Sequence, residues 1–236
     1  MSANPKLGAV LVLAALCMVL GACGGQPPAG AAGPSPGETA VASPAAVEDD
    51  PELQAMEDAQ FWDIIDRSLE ASDGSTARQA DELEGLLAAL PPEQVASFNA
   101  AFVSKNLALY TWELWGAAYV LTEGCADDCF EYFRNWVVGQ GRAYYEAVQR
   151  DPQALADGRL ESGDAVYDAE LLAYVGAEAY LAASGGRDMY EDYPESPSTI
   201  ADGEPSGTPW DEEEVESLYP GLAPLPYDLG REQSQA

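Results

Sequence analysis

Apolar positions are densest over residues 110–140, YTWELWGAAYVLTEGCADDCFEYFRNWVVGQ, which hold three of the five tryptophans. In the first half of this stretch they fall on nearly every face. Trp112, Trp115 and Tyr119 share one stripe and Leu114, Ala118 and Leu121 the next, interrupted only by Thr111 and Glu113, which predicts a central buried helix. Glu123-Gly124 predicts its end, because glycine readily takes the left-handed conformation that follows a helix C-terminus. Asp128 with Glu131 three residues on has the form of a capping box and predicts a second helix from about Asp128. Phe130, Phe133 and Val137, widened by Trp136, make its buried stripe, while Asp127, Glu131, Arg134 and Asn135 fall on the polar side. The two helices fold into a hairpin.

The same 3.6-residue period recurs along most of the chain. Phe61, Ile64, Ile65 and Leu69 predict a helix that Asp73-Gly74-Ser75 breaks, and Ala80, Leu83, Leu86, Leu87 and Leu90 predict a second that stops at Pro91-Pro92. Pro92 suits the first turn of a third helix carrying Val95, Phe98, Phe102 and Leu109, with a bend at Lys105-Asn106. Beyond Gln140 the pattern either extends the second hairpin helix or restarts after Gly141, and residues 168–183 form another helix, with Leu171, Leu172, Val175 and Ala179 on its stripe and Tyr174, Tyr180 and Leu181 alongside. No strand-like alternation appears. The fold expected is all-α, a single compact helical domain of six or seven helices around the aromatic hairpin, spanning residues 57–184. An irregular acidic arm follows over 185–209, then a segment over 210–225 whose Trp210, Val215, Leu218, Tyr219 and Leu222 are too apolar to leave in water, then a disordered tail over 226–236.

The first 56 residues lack this periodicity. Residues 1–22 read as an export signal, with Lys6 in a positive n-region and an apolar run over 7–20, and Leu20-Gly21-Ala22-Cys23 resembles a bacterial lipobox, which assigns Cys23 a diacylglycerol. Two acyl chains suffice for stable anchoring, so the expected location is the outer face of the cell membrane. Residues 23–56, rich in Pro, Ala and Gly, read as a disordered tether with an end-to-end distance on the order of 30 Å.

Phe61-Trp62 with Ile65-Asp66, Leu90-Pro91-Pro92-Glu93, the run from Trp112 through Tyr119 apart from Glu113, Gly124-Cys125 with Asp127-Asp128, Phe130, Tyr132-Phe133-Arg134, Trp136, Gln140-Gly141-Arg142 and Trp210-Asp211 together resemble the bacterial domain of unknown function family 4240. The resemblance covers roughly residues 57–225. It implies a small acidic domain and carries over no activity. Two departures stand out: Cys129 occupies a position where the family has Gly, and most relatives lack an export signal.

Composition narrows the chemistry further. Formal charge is −31, from 41 acidic against 10 basic residues, a field that repels nucleic acid and favours a basic protein or peptide. The absence of histidine removes imidazole acid/base catalysis, the Ser-His-Asp and Cys-His arrangements and the commonest zinc ligand. Glu113, Asp127, Asp128, Glu131 and Arg134 are the polar concentration beside the aromatic stretch, and with Trp112 they are the candidate ligand-binding residues. Against that reading, Asp128 and Glu131 serve equally as a helix cap and Glu131 with Arg134 as an i,i+3 pair. Trp112, Trp115 and Trp136 either line a pocket or fill the core. No catalytic residue, metal site or cofactor is assigned. The favoured function is a non-catalytic binding or interaction module at the cell envelope; the alternatives are a carboxylate-dependent glycan hydrolase and an immunity-like protein that captures a basic toxin or peptide.

Cys125 and Cys129 are the thiols left after lipidation of Cys23 outside the leader, and in an exported chain they are candidates for a disulfide. Residues four apart in a regular helix hold their Cβ atoms about 5–6 Å apart, wider than the roughly 3.5–4.5 Å of a cystine, so the bridge requires Cys125 outside the helix. The alternative is two free thiols, or Cys125 filling core space.

Overall fold

The computed structural model describes residues 53–226. The export signal, Cys23, most of the tether and residues 227–236 lie outside the described residues. Seven helices have nine residues or more: α1 (Asp58–Ala71), α2 (Thr76–Ala88), α3 (Pro92–Leu107), α4 (Trp112–Leu121), α5 (Asp127–Gly139), α6 (Arg142–Arg150) and α8 (Glu170–Ala183). A 3-10 helix (Pro152–Asp157) follows α6, and three single turns complete the order: α7 (Asp164–Asp168), α9 (Met189–Asp192) and α10 (Val215–Leu218). No strand occurs among the described residues. The protein is all-α.

Local signals set most boundaries. Asp73 and Gly74 take positive φ between α1 and α2, and the Ser75 side chain accepts from Arg78 N to cap α2. Pro92 stands in the first turn of α3. Thr111 caps α4, its hydroxyl accepting from Leu114 N at 3.1 Å. Glu123 and Gly124 both have positive φ where α4 ends. At Gly141 the helix restarts: φ is +85°, and a Cβ there would stand 2.5 Å from the Asp66 carboxyl, so only glycine lets α6 turn back against α1.

The long helices pack around α5, which touches α1, α2, α3, α4, α6, α7 and α8, while α2 lies chiefly against α8. Phe133, Val137 and Val138 of α5 are sealed from solvent, and Trp136 is buried beside them. Within the hairpin, therefore, α5 is the interior member. α4 buries Leu114, Ala117, Ala118 and Leu121, but its Trp112, Trp115 and Tyr119 stripe is only half-buried. A helix apolar on all sides needs cover on all sides, and part of that cover comes from the C-terminal arm rather than from another long helix.

Several details depart from the periodicity. α3 runs straight through Lys105-Asn106 to Leu107, and Asn106 is buried rather than marking a bend. The helix expected over 168–183 is present as α8, which starts at Glu170 after the separate turn α7, but on it Leu171, Tyr174 and Leu181 are exposed while Leu172, Val175, Ala179 and Tyr180 face inward. Met56, placed in the tether by its composition, packs into the core, its N–H bonding Ser97 O at 2.9 Å. The arm contains a turn of helix whose Met189 is buried, and beyond it Val215 and Tyr219 return to the core while Leu218 stays exposed. Among the described residues no helix is long and apolar enough to cross a membrane.

Candidate functional site

The arm crosses the N-terminal ends of α4 and α5, bonded to the first through the backbone and to the second through side chains. Ser206 N donates to Tyr110 O at 3.1 Å and Trp112 N to Ser206 O at 2.8 Å, a parallel bridge between residues 111 and 206. Tyr110 OH donates to Gly203 O at 3.2 Å, and the Trp210 indole to Trp112 O at 3.0 Å. Between the arm and the two helices lies a cleft of about 540 Å³.

One wall of the cleft is aromatic. Trp112 stacks on Trp115 with ring centroids 5.4 Å apart, and Trp115 on Phe130 at 4.9 Å, both nearly parallel, with Tyr110 beside them. The Trp115 indole donates to Cys125 O at 2.8 Å, which ties this wall to the loop that leads into α5.

The facing side is acidic. Asp127 and Asp128 occupy the first turn of α5, where the partial positive charge of the helix N-terminus favours carboxylates, and both are exposed. The capping box expected from Asp128 and Glu131 does not form: the N-cap is Ala126, which caps through no side chain, and the Glu131 carboxylate instead accepts the Thr199 hydroxyl from the arm. Glu204 adds a further carboxylate from the arm. Of the six ion pairs among the described residues, none includes Asp127, Asp128 or Glu131. The i,i+3 pair expected between Glu131 and Arg134 is likewise not formed.

Arg134 is not on a polar surface but buried, at 2% exposure, along with Asn135. Its Nη1 donates to Asn106 Oδ1 at 2.5 Å, its Nε to Phe130 O at 3.3 Å and its Nη2 to Thr199 O at 3.4 Å, and the guanidinium lies 4.9 Å from the Tyr110 ring centre. Burial lowers this guanidinium to about 10, an effect that the nearby Glu131 and Tyr110 partly offset. Tyr110 is raised, chiefly by burial, with Arg134 opposing and Asp127 and Glu204 reinforcing.

A disulfide joins Cys125 to Cys129, with Cα atoms 5.3 Å apart. Cys125 precedes α5 and Cys129 lies within it, so the bridge closes over Ala126, Asp127 and Asp128 and holds the acidic lip beside the aromatic wall.

Of the residues singled out in the sequence, Trp112, Asp127, Asp128, Glu131 and Arg134 line this one cleft. Glu113 does not. Its side chain turns toward the arm beyond the cleft, where Thr208 N donates to it at 3.4 Å, and it lines a separate cavity of about 230 Å³ with Thr111, Gln149 and Arg150. Trp136 belongs to the core, at 2% exposure. Glu204 was not legible as a site residue, because it is brought in by an arm distant in the chain whose composition signals only irregular structure.

Carboxylates beside an aromatic wall make a setting for an ammonium or guanidinium group, held by charge-assisted hydrogen bonds with its carbon stem against the rings. Among the described residues no group of three or more Cys, Asp or Glu is placed to hold a metal ion.

A family model described as a protein of unknown function, DUF4240, matches residues 56–182, more than half of the 236 residues. The match takes in the aromatic and acidic walls of the cleft and stops short of the arm. No curated protein and no solved structure matches the chain.

Proposed function

We propose, for a chain that belongs to the DUF4240 family, a role as a non-catalytic binding module of the bacterial cell envelope whose cleft takes a cationic side chain of a basic peptide or protein. The observation that carries this reading is the cleft itself, with Asp127, Asp128 and Glu131 facing Tyr110, Trp112 and Trp115 across about 540 Å³. A lysine or arginine entering it meets aromatic side chains on one side, with Trp115 stacked between Trp112 and Phe130, and carboxylates without ion-pair partners among the described residues on the other. The net charge of −31 extends the attraction beyond the cleft and steers a basic partner toward it.

A glycan hydrolase is the second reading, favoured by the same carboxylates beside aromatic platforms. One experiment separates the two. Tryptophan fluorescence of the full-length chain is titrated with arginine amide and with chitotriose, and chitotriose is assayed for new reducing ends. The binding module predicts saturable quenching by arginine amide that weakens with salt and disappears in the Asp127→Asn, Asp128→Asn double variant. Reducing ends released from chitotriose, or no response to arginine amide, would replace it.

The Leu20-Gly21-Ala22-Cys23 motif supports lipid anchoring outside the cytoplasmic membrane. Cys23→Ala should give unprocessed or mislocalised protein, and detergent-phase partitioning of the wild-type chain tests the anchor. Wild-type protein found wholly in the aqueous phase would sink the anchor.

A further inference from the structure

A second cavity, of about 290 Å³, is lined by arm residues 197–200 where the first is lined by residues within 200–205, and it shares Asp128, Glu131 and Ile200 with the first. The arm runs past both. It is pinned at Thr199, whose hydroxyl donates to Glu131 and whose carbonyl accepts from Arg134 at 3.4 Å. Tyr132, Tyr174 and Tyr190 line this cavity. Tyr174, Tyr190 and Ile200 are 53%, 48% and 72% exposed, so three of the seven exposed large hydrophobic side chains among the described residues gather here, beside carboxylates. Exposed apolar side chains clustered within a polar rim mark interaction sites.

We infer that the second cavity is a subsite for an apolar residue of the same ligand, so that the ligand is an extended basic peptide reaching from one cavity to the other past Glu131 and Ile200. This rests on the reading of the first cleft as a cation site. Peptide chemistry accounts for both features together: carboxylates for the basic side chain, and tyrosines and Ile200 for the apolar one. The net charge of −31 complements such a ligand and no acidic one.

The test compares arginine amide with acetyl-Arg-(Gly)n-Leu-amide peptides carrying none to three glycines, titrated by tryptophan fluorescence into the full-length chain. The peptide of matching length should bind about tenfold tighter than arginine amide or better, the gain expected of a second anchored group. Tyr174→Ala with Tyr190→Ala should erase that gain and leave arginine amide binding as it was. A gain at no spacer length, or one that survives the tyrosine variants, overturns the subsite and leaves the cation cleft standing. If arginine amide fails but a peptide binds through Tyr174 and Tyr190, the cleft reading falls and the subsite stays. If neither binds, both fall.

Discussion

Arg134 donates to the Asn106 side-chain oxygen at 2.5 Å, and both residues are sealed from solvent, at 2% and 0% exposure. Asn106 passes the polarity on, its Nδ2 donating to Asn135 Oδ1 at 2.7 Å. A buried cation is thus held by neutral amide and carbonyl oxygens and by ring faces, with no carboxylate in contact among the described residues. Asn106→Ala strips an acceptor from the guanidinium and a donor from Asn135 together. It should destabilise the domain by about 3 kcal/mol, because buried groups left without partners carry their full desolvation penalty. Arg134→Met, which removes the charge and keeps a long apolar stem, should cost less. Urea denaturation of the two variants checks the order, and an Asn106→Ala loss under about 1 kcal/mol would mean that this chain of bonds is not what holds α3 against α5.

The arm is seated by close approach at Gly116. A Cβ there would stand 3.0 Å from Trp210 Cδ1 and 3.0 Å from Tyr219 Cε2. Gly116→Val should push the arm outward, weakening the Trp210 bond to Trp112 O and the Tyr219 bond to Glu113 O, at a cost of about 1–3 kcal/mol. Limited proteolysis within residues 186–209 should accelerate, and arginine amide binding should fall because one side of the cleft is lost. Unchanged proteolysis would show that the arm tolerates the larger side chain.

The cystine makes a smaller contribution. Closing so short a loop stabilises by about 2 kcal/mol at most, so reduction should lower the melting temperature modestly without unfolding the domain. Alkylation of the exported, non-reduced protein followed by mass measurement should find Cys125 and Cys129 unmodified. Two alkylated thiols would leave the turn held by packing alone.

Stability should rise on acidification from neutral pH. Asp66 is exposed as a residue, but its carboxyl lies against the Gly141 turn, and this loss of water, with the charge of Asp63, raises it against the opposing Arg142 N–H. Asp168 is raised by desolvation and by Asp164. A carboxyl raised above its unfolded value of about 4 contributes stability that is complete below that value and lost as pH climbs through the folded one. Repulsion within a chain of net charge −31 acts in the same direction. Asp58 opposes, being lowered by the hydrogen bond from Lys105: its contribution is present above about 4 and lost as pH falls through its depressed folded value. Melting temperature should therefore increase from pH 7 to pH 5, and Asp66→Asn with Asp168→Asn should flatten the slope. A melting temperature that rises from pH 5 to pH 7 would contradict this.

The helices were legible because what starts, stops and orients a helix is local. Phe61, Ile64 and Ile65 recur at 3.6 residues, Pro92 opens α3, and Glu123-Gly124 ends α4, each acting within a turn or two of its own position. The in-register aromatic signatures were likewise enough to identify the family, and the missing histidines excluded imidazole chemistry without any structure. Periodicity, however, reports only the angle of a side chain around its own axis. It put Arg134 and Asn135 on the polar side of α5 but had no means to tell that Asn106 of α3 would stand opposite and take them into the core. It put Asp128 and Glu131 at capping-box spacing, whereas Glu131 meets the Thr199 hydroxyl of an arm far along the chain. The cleft has the same origin: its aromatic and acidic walls belong to one hairpin, and it closes only because residue 206 pairs with residues 110 and 112. Contacts between distant segments depend on how whole faces pack, so only the tertiary structure decided that five of the six ligand-binding candidates would line one cleft and that Glu113 would not.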